Sequence, residues 1–189
     1  MTPNFTLFAT KIGLCGIAWN DDGIFCTQLP EGDEMQSRAR LLKRAPGARE
    51  AAPPPQVQAV IGRIVALLEG AKGDDFTDVT LDMSRLPEFN RTVYAIARKI
   101  PPGETITYGD IAKQLGGLQL SRDVGQAMGK NPFPIIVPCH RVLAAGAKPG
   151  GFSARGGTAT KLKMLAIEGA YVNHTPSLFD EAPARRARH

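Results

Sequence analysis

Histidine is scarce in this chain, with 3 in 189 residues and none in the first 130. That scarcity argues against zinc there, because tetrahedral zinc ordinarily takes four Cys or His ligands. Cys15 and Cys26, on the two arms of an expected hairpin, therefore read as buried thiols rather than a metal site. Three cysteines in all, an odd number, argue against a disulfide framework and suit a reducing cytosol. A cytoplasmic protein is expected. No apolar run reaches the ~18 residues of a membrane span, so no membrane partner is expected. The opening "MTPNFTLFAT" has neither a basic segment nor a long apolar one, and no secretory signal is read there. What is present is apolar content of 43% beside 22% charged residues, enough to bury a core in one or two small domains.

Charge is unevenly spread. Residues 1–84 carry 8 Lys/Arg against 11 Asp/Glu, a net −3, whereas residues 85–189 carry 15 against 7, a net +8. Part of the excess lies in the terminal "ARRARH", through Arg185, Arg186 and Arg188, and the second half stays basic without it. A nucleic-acid face on one domain produces such a division, and so does an ordinary solvated basic surface.

The first half reads as a small α/β unit. "TLFAT", "GLCGIAW" and "IFCTQL", with "NDDG" between the last two, form an expected three-stranded antiparallel sheet. "EMQSRARLLKRA" fits a short helix, and "AREAAPPP" a linker or the start of a helix, since stacked prolines cannot sit inside one. "QVQAVIGRIVALLEG" puts Val57, Val60, Ile61, Ile64, Val65 and Leu68 on one helical stripe, with Gly70 closing it. "DVTLDM" looks like a returning strand.

The second half turns helical. "PEFNRTVYAIARKI" spaces Phe89, Val93, Ile96, Ala97 and Ile100 for a helix that "PPG" stops. In "TITYGDIAKQLGG", Thr107 is the expected N-cap with Asp110 in a capping-box position. "SRDVGQAMGKNP" opens on Ser121 as N-cap, with Asp123 in the first turn. Two short helices joined by a small turn in a basic region suggest helix-turn-helix. Gly125, Ala127 and Gly129 make the second helix poor in side-chain bulk. That suits close approach either to a DNA groove or to another helix. Arg122, at the start of that helix, is placed to reach a phosphate, a base or the base stack.

The chemistry concentrates in "PFPIIVPCHRV". Neighbours on a strand point to opposite faces, so Cys139 and His140 cooperate only if the chain turns. Pro132, Pro134 and Pro138 remove backbone donors and favour irregular geometry, and Pro138 gives a strand reason to end at the cysteine. A free thiol is only a few per cent thiolate at neutral pH. His140 is a base for it, provided a partner orients its far nitrogen. Glu168, in the last turn of the helix in "TKLKMLAIEG", opposes the helix dipole. That position fits a functional carboxylate or an ordinary exposed one. Asn131 is a second candidate for holding polar atoms near the thiol. On residues alone, a generic Cys-His hydrolase stays open.

"NPFPIIVPCHRV", followed by "GGFSARGG" and "TKLKMLAIEG" and preceded by "TYGDIA" and "SRDVGQAMGKNP", resembles the O6-alkylguanine-DNA alkyltransferases, the suicide DNA repair methyltransferases. The ordered set runs from about Phe89 to Gly169. The resemblance implies a variable α/β N-terminal domain over 1–84, a DNA-binding and methyl-acceptor domain over 85–172, and a basic tail over 173–189. It implies Cys139 as methyl acceptor, His140 acting through a water, Glu168 orienting the histidine, and Asn131 bracing the turn. Arg122 then fills the base stack, Tyr108 lies near the target phosphate, and Ser153 with Phe152 contacts the guanine. Gly125, Ala127 and Arg141 are expected among the DNA- or substrate-binding residues. Phe152 stands where some members have tyrosine, so that hydroxyl is lost. No cofactor or metal is implied. The expected partner is double-stranded DNA containing alkylated guanine, bound by a monomer. A lesion-binding protein of the same fold without catalysis is the alternative, against which the presence of Cys139 counts.

Overall fold

The computed structural model describes residues 2–170 and Val172; the expected basic tail, with His174 and His189, lies outside the described residues. Strands β1 (Asn4–Thr10), β2 (Gly13–Asn20) and β3 (Gly23–Gln28) form an antiparallel meander. The β2–β3 turn is tight because Gly23, at φ 132°, lies against the Thr80 carbonyl. A Cβ there would sit 2.6 Å from that oxygen. Alternation along β2 sends Cys15, Ile17 and Trp19 to one face and Ala18 to the other. The Ala18 face packs with Phe5, Cys26, Leu41 and Ala45, beneath helix α1 (Glu34–Arg44), which Asp33 caps.

The sheet has a fourth strand within the stretch expected to be a linker or the start of a helix. Arg49–Glu50, here β4, pairs parallel to β1 and gives the order β3-β2-β1-β4. Helix α2 (Pro55–Leu68) then starts with proline in its first turn, where no N–H is needed. Its buried stripe is Val57, Val60, Ile61, Ile64, Leu67 and Leu68, with Val65 only half-buried. "DVTLDM" is not a regular strand. It meets β3 through a single bridge, Ile24 with Leu81, flanked by Ile24 N–H to Thr80 O and Asp82 N–H to Ile24 O. Asp82 instead bonds Asn20 and Ser84, which favours a local turn over a ladder.

Helix α3 (Glu88–Ala97) buries Val93, Tyr94 and Ala97. A two-residue strand β5 (Ile106–Thr107) leads into α4 (Tyr108–Gln114). The capping box is present, with Asp110 N–H donating to Thr107 Oγ1 at 3.1 Å and Thr107 N–H to Asp110 Oδ2 at 2.9 Å. Glycines 116 and 117, both at positive φ, make the turn. Helix α5 (Ser121–Gly129) follows a 3₁₀ turn over Leu118–Leu120. Ser121 is not its N-cap. The 3₁₀ turn feeds straight into the helix, so Ser121 is already helical and its hydroxyl donates to Leu118 O. β6 (Val142–Leu143) pairs parallel with β5, and α6 (Thr158–Glu168) ends on Gly169 in the left-handed region. One apolar cluster runs continuously from Ile17 and α2 through Val93, Ile111 and Val124 to Phe133 and Met164. The N- and C-terminal parts thus share a core.

Candidate active site

The segment between α5 and β6 is held from within by one side chain. Asn131 donates through Nδ2 to Val137 O at 2.9 Å and accepts the Phe133 N–H at Oδ1, also at 2.9 Å. Val137 N–H closes the turn onto Phe133 O. Ile135 sits inside it at φ 79°, a conformation that a β-branched residue reaches only when its surroundings impose it. After Pro138, residues Cys139–Arg141 form a 3₁₀ turn. Successive side chains there diverge by about 120° rather than 180°, so Cys139 and His140 leave a turn rather than opposite faces of a strand.

Cys139 faces outward into a cavity of about 450 Å³. Tyr108 of α4, Gly125 and Met128 of α5, and Phe152 and Ser153 of the following loop line it with the sulfur. The thiol is 8% exposed, and burial raises its pKa. The Asn131 side chain, the Lys161 ammonium and Arg44 oppose that rise.

His140 points inward and is fully buried. Its Nε2 lies 2.8 Å from Glu168 Oε1. Arg141 donates to both oxygens of the same carboxylate, at 2.9 and 2.8 Å, and to Ile100 O at 2.6 Å. Burial alone would raise the Glu168 carboxyl, but the hydrogen bonds from His140 and Arg141 outweigh it and hold the group at about 2. An ionised carboxylate only accepts, so Nε2 must carry the proton, which leaves Nδ1 as a basic lone pair. Nδ1 has no hydrogen-bond partner among the described residues. Burial also lowers the His140 pKa, keeping the ring neutral. The mild dipole penalty at Glu168 is thereby answered by three donors.

Residues 88–170 match the family described as 6-O-methylguanine DNA methyltransferase, DNA binding domain. A methylated-DNA–protein-cysteine methyltransferase of Methanothermobacter thermautotrophicus is 32% identical over 154 residues, covering 82% of this chain and 78% of that protein. The chain belongs to the methylated-DNA–protein-cysteine methyltransferases. Another member of this family, from Mycolicibacterium paratuberculosis, is 44% identical over 103 residues, 54% of this chain and 61% of that protein. The crystal structure of Mycobacterium tuberculosis OGT in complex with DNA superposes with a TM-score of 0.70 at 28% identity, covering 88% of this chain and 92% of that one.

In this methyltransferase chain the cavity brings together Cys139, Tyr108, Gly125, Phe152 and Ser153, while Asn131, His140 and Glu168 stand behind it. Two expectations need correction. Arg141 is 1% exposed and spends its donors on Glu168 and Ile100, so it cannot touch DNA or substrate. Ala127 lies on the opposite face of α5 from Gly125, buried, its carbonyl accepting the Tyr94 hydroxyl at 2.7 Å. Two residues along a helix is about 200° of rotation, so the small-residue stripe divides between cavity and core. Arg122 is exposed on the first turn of α5 and lies outside the cavity lining.

Lys161 escaped the sequence reading. It is fully buried, donates to Val142 O at 2.6 Å, and sits 5.9 Å from the ring centres of both Tyr108 and Phe152. Burial pushes its ammonium down to about 8. The available signal was its position on the stripe Lys161, Met164, Leu165, Glu168, a charge where the helix turns inward. Among the described residues, no cluster of three or more His, Cys, Asp or Glu is placed to hold a metal ion.

Proposed function

We infer that this protein repairs DNA by moving the alkyl group from O6-methylguanine in duplex DNA onto its own Cys139, once per molecule. The observation that carries the reading is a ligand-sized cavity with the sulfur in its wall and a neutral imidazole, fixed by an ionised glutamate, behind it. The methyl carbon on O6 is out of reach inside a duplex, so the nucleotide swings out through the minor groove, at a cost of a few kcal/mol. Gly125 and Gly129 leave α5 without side-chain bulk where the helix meets the cavity. Arg122, at the helix start, is assigned to the gap in the stack.

His140 Nδ1 takes the thiol proton through a bridging water, and Glu168 stabilises the resulting imidazolium. The thiolate attacks the methyl carbon. The S–C bond forms, the C–O6 bond breaks, and its electron pair leaves on guanine, which is neutralised by a proton. Tyr108, kept protonated by a pKa that burial raises, is a donor in the same cavity. Phe152 stacks on the base and Ser153 contacts its oxygen. The product thioether has no hydrolysable bond, so the protein is consumed. No helix among the described residues is long and apolar enough to cross a membrane. A reducing cytoplasm, where Cys15, Cys26 and Cys139 stay free thiols, is the compartment that suits this chemistry.

Intact-mass spectrometry after incubation with methylated-guanine duplex tests the reading. The expected result is a gain of one CH2 unit on Cys139, saturating at one per protein and absent in Cys139→Ala, which still binds DNA. Binding without a mass change would instead favour a non-catalytic lesion-binding protein. Turnover on a soluble ester would favour a thiol hydrolase.

A further inference from the structure

The N-terminal sheet grips the reactive turn directly. Thr27 of β3, which is buried, donates its N–H to Pro132 O at 2.9 Å and its hydroxyl to Pro134 O at 2.7 Å. These carbonyls flank Phe133, inside the turn that Asn131 braces from within. The Thr27 carbonyl in turn accepts Arg44 Nη1 of α1 at 3.2 Å. Arg44 and Cys139 also line the same narrow gap between α1 and the turn, together with Asn131 and Gln28. The gap is about 20 Å³, room for one water. Gln28 Oε1 is buried without a partner among the described residues.

The sulfur feels two cations, Lys161 from α6 and, from α1, Arg44. Among the described residues Arg44 makes no ion pair, although it is only half exposed at most. Arg40, the other α1 arginine at the gap, is paired with Glu31 at 3.1 Å. Lys161, on the α6 side, is pushed down to about 8 by burial, so it keeps most of its charge at pH 7 and acts on the sulfur alongside Arg44 until it titrates. His140 is neutral, and burial raises the hydroxyls of Tyr108 and Tyr94. Burial lowers the Arg44 pKa too, but a guanidinium starts high enough to stay charged throughout. A half-buried cation without an anion is costly, and the cost falls when an anion forms beside it. We propose that Arg44 is a positioning residue for the alkyl transfer, an N-terminal-domain cation that stabilises the Cys139 thiolate while Thr27 holds the turn that aims it. Its role in transfer rests on the alkyl-transfer reading above; its effect on the thiolate does not.

Two rates against pH test it in the full chain: alkylation of Cys139 by iodoacetamide, read on the Cys139 peptide, and transfer from free O6-methylguanine base. Arg44→Gln removes the charge and keeps a shorter N–H donor, and its denaturation midpoint is compared with the wild type so that a loss of packing is read separately from the pH profile. Its iodoacetamide profile is expected to move up by about one pH unit, with a roughly tenfold loss at pH 7 that closes at alkaline pH. Arg44→Lys restores most of the rate, and Lys43→Met, removing an exposed charge from the same helix, leaves the profile unchanged. An Arg44→Gln profile that overlays the wild type, or an Arg44→Lys profile shifted as far as the Gln one, overturns the proposal. If iodoacetamide shows the shift while wild-type protein takes no methyl group from base or duplex, the thiolate role stands and the alkyl-transfer reading fails.

Discussion

Two arginines in this protein each hold carboxylate oxygens in pairs, one in the interior and one at the surface. Arg141 grips Glu168 beside His140, and all three side chains are almost wholly buried. Arg63 of α2 grips Asp74 at 2.6 and 2.7 Å and Asp78 at 2.8 and 2.7 Å, with side chains 31%, 29% and 68% exposed. By bond count the surface cluster is the richer of the two. Its charges remain in water and are screened, so its bonds replace hydration at little net gain. The interior cluster cannot be taken apart one residue at a time, because any removal strands a charge in low dielectric. That sensitivity is also its use. An interior network tolerates a single proton arrangement, and this one forces the lone pair of His140 onto Nδ1.

The largest effect is expected from Glu168→Ala, which leaves Arg141 buried and unpaired. Chemical denaturation at pH 7 should show a loss of about 3–5 kcal/mol, and transfer to Cys139 should fall with it. The sign with pH is fixed by the carboxyl. Its folded value of about 2 lies below the ordinary 4.5, so its contribution is complete above pH 4.5 and is lost as pH falls towards 2. The gap between wild type and variant should therefore narrow on acidification; a constant gap would erase the contrast with the surface cluster.

Arg122→Ala comes next, and it separates function from stability. The residue is exposed and belongs to neither cluster. Repair of duplex is expected to slow by roughly tenfold or more, a share of the few kcal/mol that flipping costs. Reaction with the free base and the denaturation midpoint should hold. Equal slowing on both substrates would remove Arg122 from the stack. The smallest effect is expected for Arg63→Ala, about 1 kcal/mol or less and reduced further by salt. A loss as large as that of Glu168→Ala would show that four surface bonds equal a buried network, and the comparison would fail.

The sequence was most legible where interactions are local. The capping box of Thr107 and Asp110 spans three residues, the β2–β3 hairpin turns on two, and the α2 stripe follows from helical period. The bend after Pro138, which takes Cys139 and His140 off a straight strand, was readable for the same reason. Misreadings begin where a partner is distant. Arg49 and Glu50 became a strand because β1 offers them an edge; Ser121, which lost its cap to the adjacent 3₁₀ turn, is a local exception. Arg141 looked like a basic residue available to DNA until Glu168, 27 positions away, absorbed it. Lys161 and Arg44 carry nothing in their neighbourhoods that announces a thiol.

What the sequence determined alone was local: one cysteine behind a proline, a histidine next to it, and two short helices joined by a small turn. Backbone preference and side-chain chemistry act over a few residues and are written in order along the chain. Tertiary structure decided which nitrogen of His140 carries the proton, which arginine is a brace, and which face of α5 is free. Each of those depends on what lies across the core, since burial sets the dielectric and the partners, and the chain must be closed before either exists.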